Sequence, residues 1–97
     1  MTAKKRLDIK YDDVAVAIKY AFGAAGEAPK IVASGRGWLA RQIVEMAEEH
    51  KVPLRKEKVL AESLAKIPVG IEIPPELWSA MAEILAQLYM LDQRNRS

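Results

Sequence analysis

Residues 14–20, Val14-Ala15-Val16-Ala17-Ile18-Lys19-Tyr20, alternate β-branched and small side chains in a short apolar run. Such a run predicts a strand with both faces at least partly covered. A helix is the competing reading, because alanine is tolerated in either. Residues 21–27 contain two glycines and predict a loop. Pro29-Lys30-Ile31-Val32-Ala33-Ser34-Gly35 predicts a second strand, ended by Ser34-Gly35. The period then changes. Leu39, Ile43, Met46 or Ala47, and His50 share one helical face with Trp38 beside them, and Arg41, Gln42, Glu45, Glu48 and Glu49 populate the other. That is an amphipathic helix packed on an apolar surface. It stops before Pro53, since the residue preceding proline disfavours the α region. Val52-Pro53-Leu54-Arg55 predicts a short edge strand, as Pro53 cannot donate to a ladder.

Residues 59–67 predict a short helix with Leu60, Leu64 and Ile67 on one side, and residues 68–73 a loop. Pro74-Pro75 opens the last helix, where a missing N–H costs nothing. Leu77, Met81, Ile84, Leu88 and Leu91 recur at three- and four-residue steps, and Trp78, Leu85 and Tyr89 widen the apolar face. The order of elements predicts an α/β fold: a small mixed sheet of about four strands covered by three or four helices. It predicts one domain over residues 1–97, with residues 1–8 and 92–97 as flexible ends. There is no internal repeat and no low-complexity tract.

A chain of 97 residues fits one domain. At that size roughly 60–70% of the unfolded surface is buried, so the core is modest. A hydrophobic fraction of 51% with 29% charged residues argues for a compact fold and against disorder. The formal charge of +2 is too small to imply a nucleic-acid or membrane partner. Cysteine is absent, which excludes disulfides and thiolate metal sites and agrees with a reducing compartment. Met1-Thr2-Ala3-Lys4-Lys5-Arg6 is basic, but Asp8, Lys10, Asp12 and Asp13 interrupt the apolar residues after it, so no signal peptide is predicted. No stretch approaches the roughly 20 apolar residues of a membrane span. The reading is a cytoplasmic chain without direct membrane insertion.

Candidate chemistry is sparse. His50 is the only histidine, and at a helix end it reads as a dipole partner or packing residue rather than a ligand. Ser34, Ser63 and Ser79 have no neighbouring histidine base. Gly35-Arg36-Gly37 precedes a helix but fits neither a Walker loop nor a dinucleotide fingerprint, so it reads as a tight strand-to-helix turn. Asp12-Asp13 reads as a solvated turn. Lys4-Lys5-Arg6 and Arg55-Lys56-Glu57-Lys58 are basic clusters, the second interrupted by Glu57 and suited to guarding a strand edge. No cofactor or metal site is predicted, and no enzyme activity.

A series of runs then carries a resemblance. These are Val14-Ala15-Val16-Ala17-Ile18-Lys19-Tyr20, Ala28-Pro29-Lys30-Ile31-Val32-Ala33, Gly35, Leu39-Ala40-Arg41-Gln42-Ile43 and His50-Lys51-Val52-Pro53. Leu60-Ala61, Leu64, Gly70-Ile71-Glu72-Ile73-Pro74, Leu77-Trp78, Ala82-Glu83-Ile84-Leu85-Ala86 and Tyr89 continue them. In this order and spacing the chain resembles the cytoplasmic domain of the FlhB/YscU/EscU/SpaS family, the export-switch proteins of flagellar and virulence type III secretion. The resemblance includes an insertion of about one residue in the 21–27 loop. Full-length members carry a membrane domain, so the expectation here is a stand-alone cytoplasmic type.

The departure is as informative as the match. Family members cleave themselves between Asn and Pro of an Asn-Pro-Thr-His motif, the asparagine side chain attacking its own main-chain carbonyl. The aligned residues here are Lys10-Tyr11-Asp12-Asp13. Lysine has no amide to cyclise and no proline follows it, so the resemblance implies a domain without autocleavage. The Pro-Pro before the family's next helix is also replaced, by Lys58 and Val59. What remains is docking. The resemblance implies a small apolar patch for export substrates at Ala28, Pro29, Ala82 and Leu85. The implied role is an auxiliary component of the bacterial flagellar/type III export apparatus. Its implied partners are export-gate proteins, export substrates and a truncated full-length switch homologue, placing it at the periphery of the membrane export gate. The alternative from another class is a small basic RNA-binding domain, suggested by a pI of about 9.0 and the two clusters. Against it, there are few aromatic residues to stack bases.

Overall fold

The computed structural model describes residues 9–20 and 28–96; the 21–27 loop, the Lys4-Lys5-Arg6 cluster and the predicted flexible end 1–8 lie outside the described residues. Strand β1 is Val14–Lys19 and strand β2 is Lys30–Arg36. Helix α1 is Trp38–Glu49 and helix α2 is Lys58–Leu64. A single 3₁₀ turn, Pro75–Leu77, leads into helix α3, Trp78–Arg96. The mixed α/β class is as predicted. The sheet is smaller: two antiparallel strands among the described residues, not about four.

The register explains how so small a sheet has two useful faces. Val14 pairs with Arg36, Val16 with Ser34, and Ile18 with Ile31, and these point to one side. Ala15 pairs with Gly35 and Ala17 with Ala33, and these point to the other. Between Ala17 and Ile18 the register slips by one, so Val32 is the extra residue of a β-bulge. Without it, alternation would put Val32 on the Val14/Val16/Ile18 side and turn Ile31 away. With it, Ile31 is 0% exposed and Val32 is 45% exposed.

On the Val16/Ile18 side the core is Ile31, Leu64, Ile73 and Met81, closed by Leu60, Ile67, Leu77 and Leu85. Each such large aliphatic side chain contributes about 1.5–3 kcal/mol when fully buried. The predicted inward stripes of α2 and α3 therefore hold for Leu60, Leu64, Leu77, Met81, Ile84 and Leu88, all buried or half-buried. The side chain of Leu91 lies outside the described residues.

On the alanine side α1 packs against both strands. Its inward face is turned from the predicted one. Ala40 and Val44 are buried, while Leu39 and Met46 are 52% and 63% exposed and His50 is exposed. The surface beneath is Ala15, Ala17, Ala33 and Gly35, small enough for a close helix approach. A Cβ on Gly35 would sit 2.5 Å from Leu39 Cβ and 3.4 Å from Ile43 Cδ1. Ala40, one of two alanines in the helix, is 0% exposed, in keeping with that close approach.

Two predicted connections exchange roles. The 52–55 segment forms no strand. Arg55 instead ties it to the last helix and the next segment through side chains: Nη1 donates to Gln87 Oε1, and Nη2 to Glu57 Oε2 at 2.9 Å. The 68–73 segment, predicted as a loop, pairs with β2. Gly70 N donates to Ile31 O at 2.7 Å, Ile31 N to Ile71 O at 3.1 Å, and Ile73 N to Pro29 O at 2.7 Å. That rung of main-chain bonds satisfies the outer edge of β2 with a bridge, Lys30 to Glu72, too short to count as a strand.

α1 ends in a Schellman arrangement. Val52 N donates to Ala47 O at 2.8 Å and Lys51 N to Glu48 O at 3.2 Å, with Lys51 in the left-handed region at φ 59°. Helix α3 continues through Arg96.

Candidate functional site

Residues 10–13, which the resemblance sets against the family's cleavage motif, form a β-turn immediately before β1. Asp13 N donates to Lys10 O at 3.0 Å, which closes the turn over Tyr11 and Asp12. The Asp13 carboxylate reaches back and accepts from Lys10 N at 3.0 Å. A short polar side chain that bonds to nearby backbone in this way favours a turn over a strand.

The rest of the fold grips this turn from outside. Gly37 N donates to Asp13 O at 2.8 Å. Arg41, one turn into α1, donates from Nη2 to Ile9 O at 3.3 Å. Arg36 Nη1 donates to Asp12 O at 2.7 Å. The same guanidinium holds the Glu62 carboxylate in a fork, Nη1 to Oε2 at 3.1 Å and Nη2 to Oε1 at 3.0 Å. Arg36 therefore links the turn to α2 across separations of 24 and 26 residues. The hydrogen bond from Arg36 holds the Glu62 carboxyl below its usual range, with burial opposing and Lys58 and Lys66 adding to the lowering. Reciprocally, Glu62 raises the Arg36 guanidinium.

Gly37 is the other fixed point. Its φ of 61° and ψ of −117° belong to a region that residues with a Cβ rarely enter. A Cβ there would also collide with the main-chain carbonyl of Tyr11. The Gly35-Arg36-Gly37 run thus does what a tight strand-to-helix turn requires, and each of its residues does so differently. Gly35 admits α1, Arg36 clamps the turn, and Gly37 receives it. The sequence pattern marks the glycines and does not mark Arg36, because its partners are distant in the chain and nothing local signals them.

The geometry of the turn is that of a strapped surface loop. Lys10 is exposed. Tyr11 is 90% exposed. Among the described residues no group of three His, Cys, Asp or Glu side chains could hold a metal ion.

The second predicted site, the apolar patch, meets at Ile73. The main-chain N of Ile73 donates to Pro29 O, its carbonyl accepts from Trp78 Nε1 at 2.9 Å, and its side chain is core. Leu85 packs half-buried against that same core. The start of β2, the 70–73 segment and the first turns of α3 are thereby brought to one corner. Of the four patch residues, Ala82 is exposed, Ala28 and Leu85 are half-buried, and Pro29 is buried below 2% exposure. The Pro29 ring is therefore core and offers no surface. Trp78 and Tyr89, 38% and 46% exposed, flank Ala82 and Leu85 at helical spacing.

In the basic cluster, Arg55 is an internal tie, whereas Lys56 and Lys58 are exposed. No helix of the described residues is long and apolar enough to cross a membrane.

Comparison with known proteins agrees with this architecture. A profile of the FlhB HrpN YscU SpaS family matches residues 12–88, beginning inside the turn just after Tyr11. The flagellar biosynthetic protein FlhB of Aquifex aeolicus (strain VF5) is 40% identical over 74 residues, covering 75% of this chain and 21% of that protein. The uncharacterized protein YlqH of Bacillus subtilis (strain 168) is 33% identical over 67 residues, covering 69% of this chain and 72% of that protein. The crystal structure of the cytoplasmic domain of FlhB from Shewanella putrefaciens superposes with a TM-score of 0.71 at 30% identity, over 86% of this chain and 68% of that one. The chain belongs to the FlhB HrpN YscU SpaS family, the export-switch family of flagellar and type III protein export, and has the fold of its C-terminal domains. It spans about a fifth of the FlhB relative from Aquifex and most of YlqH.

Proposed function

We propose that this chain is a non-cleaving docking domain of the flagellar/type III export apparatus, binding export-gate components or export substrates. The observation that carries the reading is the turn at residues 10–13. It is built and strapped like a functional loop, yet Lys10 stands where the cleavage chemistry of the family needs an asparagine amide. With that chemistry removed, the family's other use of this domain, contact with partners, is what the chain retains.

The docking surface in this reading is the corner at Ile73, with Ala28, Ala82 and Leu85 as its accessible apolar members. Pro29 supports it from beneath. Each methylene buried by a partner there contributes about 0.8 kcal/mol, so a few apolar anchors give a specific but reversible contact.

The reading is tested in cells whose full-length switch homologue lacks its C-terminal part. Expression of this chain restores export of flagellar substrates if the proposal holds. Export that is the same with and without it contradicts the proposal.

A further inference from the structure

The charged residues around α2 are not equivalent. Both arginines are engaged: Arg36 by Glu62, and Arg55 by Glu57 at 2.9 Å, Glu83 at 3.9 Å and Gln87. The three carboxylates of this region are therefore each matched by a guanidinium. These paired groups are themselves partly solvent-exposed, Glu83 most of all; the charges left over beside them are lysines. Lys56, Lys58 and Lys66 are exposed, and none forms an ion pair among the described residues. Lys58, Glu62 and Lys66 recur at four-residue steps, and the turn of α2 runs on past Leu64 through Ala65 N to Ala61 O and Lys66 N to Ser63 O, so these three share the side of α2 that Arg36 reaches. Beside Lys58, Val59 is 82% exposed. None of these four residues is in the core or makes one of the hydrogen bonds that clamp the 10–13 turn.

We propose that Lys56, Lys58, Val59 and Lys66 form a contact surface for the anionic headgroups of a lipid bilayer. The choice of lysine carries the inference. A guanidinium reads one carboxylate in a fixed fork, and here both guanidinium groups are turned to such internal use. An ammonium on a flexible stem is a point charge without preferred geometry. Three of them match a layer of mobile, irregularly spaced phosphates and carboxylates better than they match one defined acidic segment. Val59, exposed among the lysines, enters the headgroup boundary as an apolar contact. The attachment is peripheral, since no described helix is long and apolar enough to cross the bilayer. Each lysine near an anionic surface is worth about five-fold in partition at low ionic strength, about a hundred-fold for three, and the effect fades within a Debye length.

The test is vesicle flotation of the full chain at low salt. The vesicles are phosphatidylcholine alone or with about 30% phosphatidylserine, at the upper end of cytoplasmic-leaflet charge. Two triple variants separate this face from the basic N-terminus: Lys56→Gln/Lys58→Gln/Lys66→Gln, and Lys4→Gln/Lys5→Gln/Arg6→Gln. Glutamine has nearly the helix propensity of lysine, so the fold is retained, as circular dichroism checks. The expected result is flotation with serine-containing vesicles only, about a hundred-fold weaker in the first variant and largely kept in the second. Absent flotation of the unaltered chain, or flotation that the first variant leaves unchanged, overturns the proposal. So does salt-sensitive binding to a polyglutamate peptide without binding to vesicles, which would assign the face to an acidic protein segment.

Discussion

The main-chain carbonyl of Tyr11 fills the space in which a side chain on Gly37 would begin. Gly37 meanwhile donates its N–H to Asp13 O at the other end of the same turn. The turn and the start of α1 are thus one piece of structure. Gly37→Ala adds a Cβ at φ 61° and forces it onto backbone, which cannot rotate aside. We expect a loss of about 3 kcal/mol or more, combining backbone strain and displacement of the turn. For a domain of this size that lowers Tm by roughly 4–8 °C per kcal/mol, readable in a thermal melt. A Tm within a degree or two of the unaltered chain would show that the turn does not bear on Gly37.

Lys51 gives a prediction of opposite sign. It closes the Schellman arrangement in the left-handed region, which costs a side-chain-bearing residue about 1–2 kcal/mol that glycine avoids. Lys51→Gly is expected to stabilise the chain by roughly 0.5–1 kcal/mol, after the entropy of the freer unfolded glycine is subtracted. Lys51→Val is expected to destabilise it. Urea midpoints at constant m-value measure both.

The Arg36–Glu62 fork makes part of the stability depend on pH. The folded carboxyl of Glu62 lies below its ordinary value of 4.5, chiefly because Arg36 donates to it. Its contribution is therefore fully present above about pH 4.5 and is lost as pH falls through the depressed folded value. Both groups are solvent-accessible, so salt weakens the effect. Glu62→Gln is expected to show a shallower loss of stability between pH 5 and pH 3 in low salt, the range around about 4 where carboxylates titrate. An identical acid limb in the two proteins would remove the fork from the stability of the turn.

Intact mass addresses the turn chemically. The chain is expected to keep its full mass after prolonged incubation at neutral pH, and Lys10→Ala is expected to behave in the same way. A pair of fragments meeting at Lys10 and Tyr11 would contradict the non-cleaving reading.

Some of this fold was legible in the sequence because local pattern and tertiary outcome coincide. The Val14-Ala15-Val16-Ala17 alternation gave a strand with two covered faces. The spacing of Leu77, Met81, Ile84 and Leu88 gave the inward stripe of α3. Where they diverge, the deciding contact is distant. The bulge at Val32 depends on which side the core lies. Residues 52–55 read as an edge strand and form none, because Arg55 binds α3 through its side chain, where a strand would use its backbone. Residues 68–73 hold a proline and a glycine and read as a loop, yet their main chain pairs with β2 because Pro29 and Ile31 leave that edge open. The face of α1 followed the small residues beneath it rather than the largest side chains on it. At the candidate site, the Arg36 clamp and the burial of Pro29 required the fold, since both rest on contacts distant in the chain.

The central claim, that the chain docks partners through the corner at Ile73, is tested most directly by titration. Labelled chain is titrated with the isolated cytoplasmic domain of the export-gate protein and, separately, with export substrates. Leu85→Glu and Ala82→Glu serve as parallel samples whose fold is checked by circular dichroism. The expected result is saturable binding to at least one of these, tolerant of salt, weakened at least ten-fold by Leu85→Glu, about 1.4 kcal/mol for a charge placed in an apolar contact. Absence of binding to all of them, or binding that both variants retain in full, would contradict it.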